Sequence, residues 1–131
     1  MYSTQRGAPA IAKIVYIGSY LPDLKPTSLA YDSSNGLFYA VVTNQGTAPT
    51  PAGAFIGLSF YLDGANWVSW GSIPGTVAPG QSVGIASSQA RPYAIPPGTH
   101  WIGVYVDIYD RAVELDKNNN GLWQTVTVQR P

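Results

Sequence analysis

Four of the seven acidic residues of this 131-residue chain lie in one short stretch, DIYDRAVELDKNNN, at positions 107–120. They are Asp107, Asp110, Glu114 and Asp116, and three consecutive asparagines follow them. Clustered side-chain oxygens suit Ca²⁺, because this hard cation takes about six to eight oxygen ligands. Two carboxylates can also serve a glycosidase as acid and nucleophile or base. The third interpretation is a turn between two strands, in which asparagine side chains bind the local backbone.

The spacing of these residues favours the turn. The stretch lacks the D-x-[DN]-x-[DN]-G spacing of an EF-hand loop, and Lys117 adds a positive charge inside the cluster. A glycosidase needs carboxylates that flank a cleft and a raised pKa on the acid, and a loop at the end of a sheet seldom builds such walls. We therefore interpret 107–120 mainly as a structural turn, with calcium binding by its four carboxylates as the alternative.

Two further patterns could carry chemistry. Residues 80–84, GQSVG, match the G-x-S-x-G nucleophile elbow, which requires a strand–turn–helix context around Ser82. Here the motif opens a predicted strand after a Pro-Gly turn, and no helical pattern follows. The only histidine, His100, starts another predicted strand without a second metal ligand beside it. We therefore predict that the chain is not an enzyme.

The composition excludes several classes of partner. Formal net charge is zero and only 11% of residues are charged, which gives no electrostatic attraction for nucleic acid or anionic lipid. The absence of cysteine excludes disulfides and thiolate metal sites. No apolar run approaches the ~20 residues that span a bilayer, and no signal peptide is visible. A surface of uncharged polar and aromatic residues suits a neutral, hydroxyl-rich partner.

The hydrophobic pattern is that of an all-β protein. Short alternating runs are separated by clusters of Pro, Gly, Asn and Ser, and Asn35-Gly36 and Asp63-Gly64 supply the positive φ of tight turns. Seven strands at this spacing predict an Ig-like or fibronectin-III-like sandwich of two antiparallel sheets. The predicted strands lie near 25–31, 37–43, 54–62, 66–71, 81–86, 100–108 and 122–129.

The chain divides into a tail and a domain. Residues 1–22 are predicted to be an N-terminal linker or tail, and 23–131 to be the sandwich. The apolar run 11–17 within the tail is expected to form an extra edge strand, or to dock onto a neighbouring domain or subunit.

Alternation along three strands separates a core face from an aromatic face. In 100–108 the aliphatic residues occupy one face, while Trp101 and Tyr105 share the other face with Asp107. The aliphatic face must be the core, because the opposite choice would bury a carboxylate. The same reasoning turns Tyr61 and Trp123 outward in their own strands.

We predict that these three strands are neighbours in one sheet, as strands C, F and G are in Ig-like sandwiches. Tyr61, Trp101, Tyr105 and Trp123 would then form an exposed platform whose flat rings stack on the C–H faces of pyranose rings. Alternatively, residues 11–17, a neighbouring domain or an identical subunit could cover this patch. A third interpretation is that these aromatics simply pair well across strands.

Two further tryptophans, Trp67 and Trp70, are harder to place. They are an odd number of residues apart, so they are expected to face opposite ways if their strand is regular.

Three sets of residues have a distinctive order in the chain: Asn44-Gln45-Gly46-Thr47-Ala48, then Trp70-Gly71 with Pro79-Gly80, and finally Asp107, Arg111, Glu114 and Asn119-Asn120. With the segments around them, they resemble the CARDB domain, a cell-adhesion-related Ig-like sandwich of bacteria and archaea. The resemblance runs from about Asp23 to Val128. Lys117 departs from it by standing where the family usually has Glu, and Asp110 stands where Asn is common.

This resemblance implies a structural role for Trp70, and a non-catalytic extracellular or cell-surface module of the kind appended to secreted glycoside hydrolases. The expected partners are a polysaccharide and a neighbouring catalytic domain or an identical subunit, with no nucleic acid and no membrane. No cofactor is expected to be required, with calcium as the one candidate. The leading predicted function is carbohydrate binding through the aromatic face. The alternative is a structural or adhesion module that makes protein contacts, including fibres built by docking of 11–17.

Overall fold

The computed structural model describes residues 20–53, 55–109 and 120–129, and for 107–109 the backbone alone. The predicted docking strand 11–17 lies outside the described residues, and so do Asp110, Glu114 and Asp116. The described residues contain seven β-strands. They include no helix with the length and apolar character needed to cross a membrane. The strands are β1 (Leu24–Asp32), β2 (Leu37–Asn44), β3 (Phe55–Leu62), β4 (Asn66–Ile73), β5 (Ser82–Ala86), β6 (Gly98–Tyr109) and β7 (Gly121–Val128).

The seven strands form two antiparallel sheets. One sheet has the order β1-β2-β5 and the other has the order β4-β3-β6-β7. This arrangement confirms the predicted all-β sandwich. It also confirms that the three strands with outward aromatic residues, β3, β6 and β7, are neighbours in one sheet.

The hairpin between β3 and β4 turns through the expected Asp-Gly pair. Both residues have positive φ, 49° at Asp63 and 105° at Gly64. Aspartate tolerates the left-handed region better than most residues, and glycine has no Cβ to clash there. The turn between β1 and β2 likewise places Gly36 at φ 74°.

The core lies between the two sheets, on the faces that alternation predicted. Phe38 of β2 stacks on Phe60 of β3 with ring centroids 5.2 Å apart, and this contact joins the sheets. Leu122 and Val126 of β7 are partly buried against the core. The buried hydrophobic residues described in β3, β6 and β7 are Ile56, Leu58, Phe60, Leu62, Ile102, Val104, Val106 and Val128.

A fully buried amide holds the loops at one end of the sandwich. The Oδ1 atom of Asn44 accepts hydrogen bonds from the backbone N–H groups of Asp23 (3.0 Å) and Gly46 (2.9 Å). Its Nδ2 atom donates to the carbonyl oxygens of Ala48 (2.9 Å) and Val77 (3.0 Å). Because an unpaired polar group is costly in the interior, this side chain fixes four backbone positions at once.

Candidate aromatic binding face

The outer face of the four-stranded sheet brings together Tyr61, Tyr105 and Trp123. In the register of the sheet, Tyr61 pairs with Gly103, and Gly103 pairs with Trp123. In the neighbouring row Tyr105 pairs with Gly121. Each large ring therefore has a glycine as its neighbour across the strands. Because glycine has no side chain, the ring can pack flat against the backbone of the sheet.

The rings pack against one another and against these glycines. The ring of Tyr105 lies 5.7 Å from that of Tyr61 in an edge-to-face arrangement, and 6.3 Å from that of Trp123. The indole Nε1–H of Trp123 donates to the hydroxyl of Tyr105 over 3.3 Å. A Cβ added at Gly103 would lie 2.6 Å from the indole of Trp123. These contacts hold the rings in fixed positions without ligand.

Trp101 stands at the end of the same face, beside the β3–β4 hairpin. Its backbone N–H donates to the Oδ1 atom of Asp63 (2.9 Å), and its carbonyl oxygen accepts from the backbone N–H of Asp63 (2.8 Å). These bonds fix the backbone while the indole remains exposed.

The structure adds Trp67 and Trp70 to this face. The pairing of β3 with β4 shifts at one point, so that Phe60 pairs with Ser69 but Tyr61 pairs with Trp67. Such a bulge inserts one extra residue into β4, so that the side chains on its two sides no longer alternate regularly between the faces of the sheet. Trp70 pairs with Ser59 and Trp67 with Tyr61, both of them outward positions of β3. The expectation that the two tryptophans face opposite ways is therefore wrong, because it assumed a regular strand.

All four tryptophans of the chain consequently lie on one sheet face. β4 and β6 contribute four exposed residues to it, with exposed fractions of 54% for Trp101, 45% for Tyr105, 45% for Trp70 and 42% for Trp67. Tyr61 and Trp123 are half-buried between them. Large exposed apolar patches on soluble domains mark surfaces that bind a partner.

Arg91 lies at the β4 margin of the face. Its Cζ atom is 4.8 Å from the centroid of the Trp67 ring, in a cation–π contact. The sequence offered no sign of this contact, because Arg91 comes from the segment between β5 and β6.

His100 and Asp63 form an ion pair at the hairpin end of the face. The Nδ1 atom of His100 lies 2.8 Å from Oδ2 of Asp63, and its Nε2 atom lies 2.9 Å from the carbonyl oxygen of Pro96. Both ring nitrogens thus face acceptors, so the imidazolium form satisfies both. The hydrogen bond to Asp63 raises the pKa of His100, and the same bond lowers the pKa of Asp63.

The part of the chain that the structure describes contains no group of three or more His, Asp or Glu side chains that could hold a metal ion. The backbone of Asp107 lies in β6, but its three predicted calcium-binding partners lie outside the described residues. Ser82 begins β5, in the other sheet from His100, and its hydroxyl is 2.7 Å from that of Thr43. Ser82 therefore opens a strand, as expected, and not the helix that a nucleophile elbow requires.

The comparisons with known proteins agree with this architecture. No protein-family model matches the chain, and no curated protein matches it significantly. The crystal structure of a CARDB domain from Pyrococcus furiosus in complex with di-metal ions superposes with a TM-score of 0.59 and 20% identity, over 82% of this chain and 88% of that one. The solution structure of the same domain gives a TM-score of 0.55 and 22% identity, over 83% of this chain and 96% of that one.

A third solved structure is more similar in shape. It is one domain of a candidate cell surface protein from Methanosarcina acetivorans, with a TM-score of 0.64 and 21% identity over 85% of this chain and 95% of that one. These likenesses extend over most of each chain, and they confirm the resemblance at the level of the fold. This chain has the fold of the CARDB domains.

Proposed function

We propose that this chain is a non-catalytic module that binds polysaccharide through the outer face of its four-stranded sheet. The observation that carries the proposal is the gathering of all four tryptophans on this face, with exposed rings on β4 and β6. Indole and phenol rings offer flat apolar surfaces that stack on the C–H faces of sugars, while their N–H and O–H groups reach water or hydroxyls.

The dimensions of the face suit an extended chain rather than a single sugar. Adjacent strands lie about 4.8 Å apart, so the exposed rings of β4 and β6, two strands apart, are separated by roughly 10 Å. Trp101 and Tyr105 are four residues apart on one strand, which corresponds to roughly 13 Å. Rings at such separations contact several consecutive sugar units, and each contact adds to the affinity of the polymer.

Affinity electrophoresis tests this proposal directly. The chain would be run through gels that contain individual neutral or acidic polysaccharides, together with Trp70→Ala, Trp101→Ala and Trp123→Ala. Tyr39→Ala is the matched control, because Tyr39 is an exposed aromatic residue on the other sheet. We expect retardation by at least one glycan, weakened by each tryptophan variant and kept by the control. Folded protein that no glycan retards would contradict the proposal.

A structural or adhesion role is the second candidate. It is favoured by the likeness to a domain of a candidate cell surface protein, and by the size of the aromatic patch, which also suits a protein partner. In that case the chain would act outside the cell, beside a catalytic domain or an identical subunit. Concentration-dependent self-association that Trp70→Ala and Trp101→Ala abolish, with no glycan binding, would favour this role.

Calcium binding by Asp107, Asp110, Glu114 and Asp116 stays a prediction. It gains support from the Pyrococcus domain, whose crystal structure is described as a complex with di-metal ions. A bound ion would raise the unfolding temperature of the chain in proportion to the logarithm of its concentration. Thermal unfolding with added Ca²⁺ and with chelator therefore tests the site, and Asp116→Asn should abolish any difference.

A further inference from the structure

Arg91 presents a guanidinium group at the margin of the aromatic face. Its Cζ atom stacks 4.8 Å from the centroid of Trp67, and its Nε atom lies 3.3 Å from the carbonyl oxygen of Val68, at the bulge of β4. An aromatic ring and a backbone carbonyl therefore hold this cation beside the exposed indoles.

The segment that carries Arg91 is itself fastened to β4. The hydroxyl of Ser69 donates to the carbonyl oxygen of Arg91 over 3.2 Å. Three residues earlier, the backbone N–H of Ser88 donates to the carbonyl oxygen of Trp70 over 2.8 Å, and that of Arg91 donates to Ser88 over 3.1 Å. These bonds fix the backbone at Arg91, and the contacts with Trp67 and Val68 hold its side chain, so binding costs less side-chain entropy than it would for a free arginine.

The terminal nitrogens of this guanidinium are available for a ligand. Among the residues that the structure describes, the ion pair is His100 with Asp63, and no carboxylate lies within salt-bridge distance of Arg91. Only its Nε–H has an acceptor there, the oxygen of Val68. The other N–H groups form a planar fork, whose geometry matches the two oxygens of a carboxylate.

We infer that Arg91 binds a carboxylate of the ligand, so that the face selects an acidic polysaccharide built of uronic-acid rings. This inference rests on the proposed function, because the neighbouring rings must hold the pyranose while Arg91 takes its carboxylate. A pyranose stacked flat on an aromatic ring directs the substituent on C5 outward from its edge. The guanidinium stands at the edge of the aromatic face, where such a carboxylate arrives.

The low charge of the chain agrees with recognition at a single point. Net charge is zero, so the chain as a whole does not attract polyanions in general. Selection must then come from one well-placed bidentate contact, and lysine does not replace arginine at a bidentate site. The amino-acid composition predicted a neutral partner. Composition contains no information on the position of a single arginine, so it could not indicate that Arg91 lies beside Trp67.

Matched polymers test the inference. Polygalacturonate, polymannuronate and polyglucuronate would each be compared with their carboxyl-reduced products, in which every carboxylate becomes a primary alcohol. We expect the chain to bind at least one uronate about tenfold more tightly than its reduced counterpart. Arg91→Gln should abolish this preference, so that the variant binds the uronate and its reduced product equally. Arg91→Lys should restore only a minor part of the preference.

Lys25→Gln is the control, since it removes the same charge from an exposed position of β1, in the other sheet. Equal binding of a uronate and its reduced form, or equal losses in the Arg91 and Lys25 variants, would overturn the inference and leave the proposed function intact. Retention of neutral or sulfated glycans alone would do the same. Failure of every polymer to bind the folded chain would overturn both.

Discussion

The indole of Trp123 lies directly on the backbone of Gly103, its partner across β6 and β7, in a space that no other residue would leave open. A Cβ at position 103 would approach three indole atoms to within 2.6–2.7 Å. Tyr105 covers Gly121 in the same way, one row along the sheet. In one pair the ring comes from β7 and the glycine from β6, and in the other the ring comes from β6 and the glycine from β7. Together the two pairs fix the rings of Trp123 and Tyr105 against the sheet.

Gly103→Ala should therefore displace the Trp123 ring. Overpacking of this kind costs about 1–3 kcal/mol of unfolding free energy, and the displaced indole should also weaken retention by any glycan that the face binds. Urea unfolding and affinity electrophoresis measure the two effects. Gly84→Ala is the control, because a Cβ there meets nothing within 4 Å. Equal stability of the two variants would contradict the predicted packing.

The tryptophans should separate into exposed residues and a supporting one. Trp70→Ala and Trp101→Ala remove exposed side chains and should change the unfolding free energy by roughly 0.5 kcal/mol or less. Trp123→Ala uncovers Gly103 and removes ring contacts with Tyr61 and Tyr105, so we expect a loss of about 1–3 kcal/mol. A large loss of stability in Trp70→Ala would instead support the structural role that the family resemblance implies for this residue.

Asn44→Ala should be among the most destabilising single substitutions. It removes one hydrogen bond from each of two backbone N–H groups and two carbonyl oxygens, and of these groups the oxygen of Val77 keeps the backbone N–H of Thr50 as a donor. Each buried group left without a partner costs about 1–3 kcal/mol. We expect a total loss of about 3 kcal/mol or more in chemical denaturation. Asn35→Ala removes two hydrogen bonds from an exposed asparagine and should cost about 1 kcal/mol or less. Similar losses in both variants would refute the special role of Asn44.

Stability should depend on pH through His100 and Asp63. The pKa of His100 is raised above its ordinary value of 6.5, so its contribution is complete below that pH and is lost as pH rises through the higher folded-state pKa. The pKa of Asp63 is lowered from 3.8, so its contribution is complete above that pH and is lost as pH falls through the lower folded-state value. Both groups therefore contribute fully to the stability of the fold between pH 3.8 and pH 6.5.

Urea unfolding at about pH 5.5 and about pH 8.5 checks the alkaline side, and we expect lower stability at the higher pH. His100→Gln should reduce this difference, because His100 is the only histidine of the chain. Asp63→Asn removes the charged partner and should reduce it as well. An undiminished pH dependence in both variants would assign it to other groups.

Local sequence patterns were sufficient to predict the strands. Each predicted strand agrees with an observed one to within about two residues, because alternation of side chains and positive-φ turn residues are properties of short segments. β6 begins at Gly98, two residues before its predicted start, since Thr99 pairs with Thr127 although neither is apolar. The aliphatic stripes also identified the core face, because only one face of each strand can be buried without burying charge.

The tertiary structure decided which residues make up the aromatic face. Whether Trp67 and Trp70 share a face depends on one bulge, and a bulge exists only in the pairing of β4 with β3. Likewise, no local pattern relates Trp123 to Gly103, because their contact follows from the register of two strands, β6 and β7.

The amino-acid sequence by itself determined which segments are strands, where the chain turns and which side of β3, β6 and β7 is buried, because these depend on residues close together in the chain. Only the tertiary structure decided that four tryptophans share one face and that Arg91 stands over Trp67. Those relationships join residues of different strands and of the loop between β5 and β6. They depend on the register in which β4, β3, β6 and β7 pair, and on the contacts of that loop with β4.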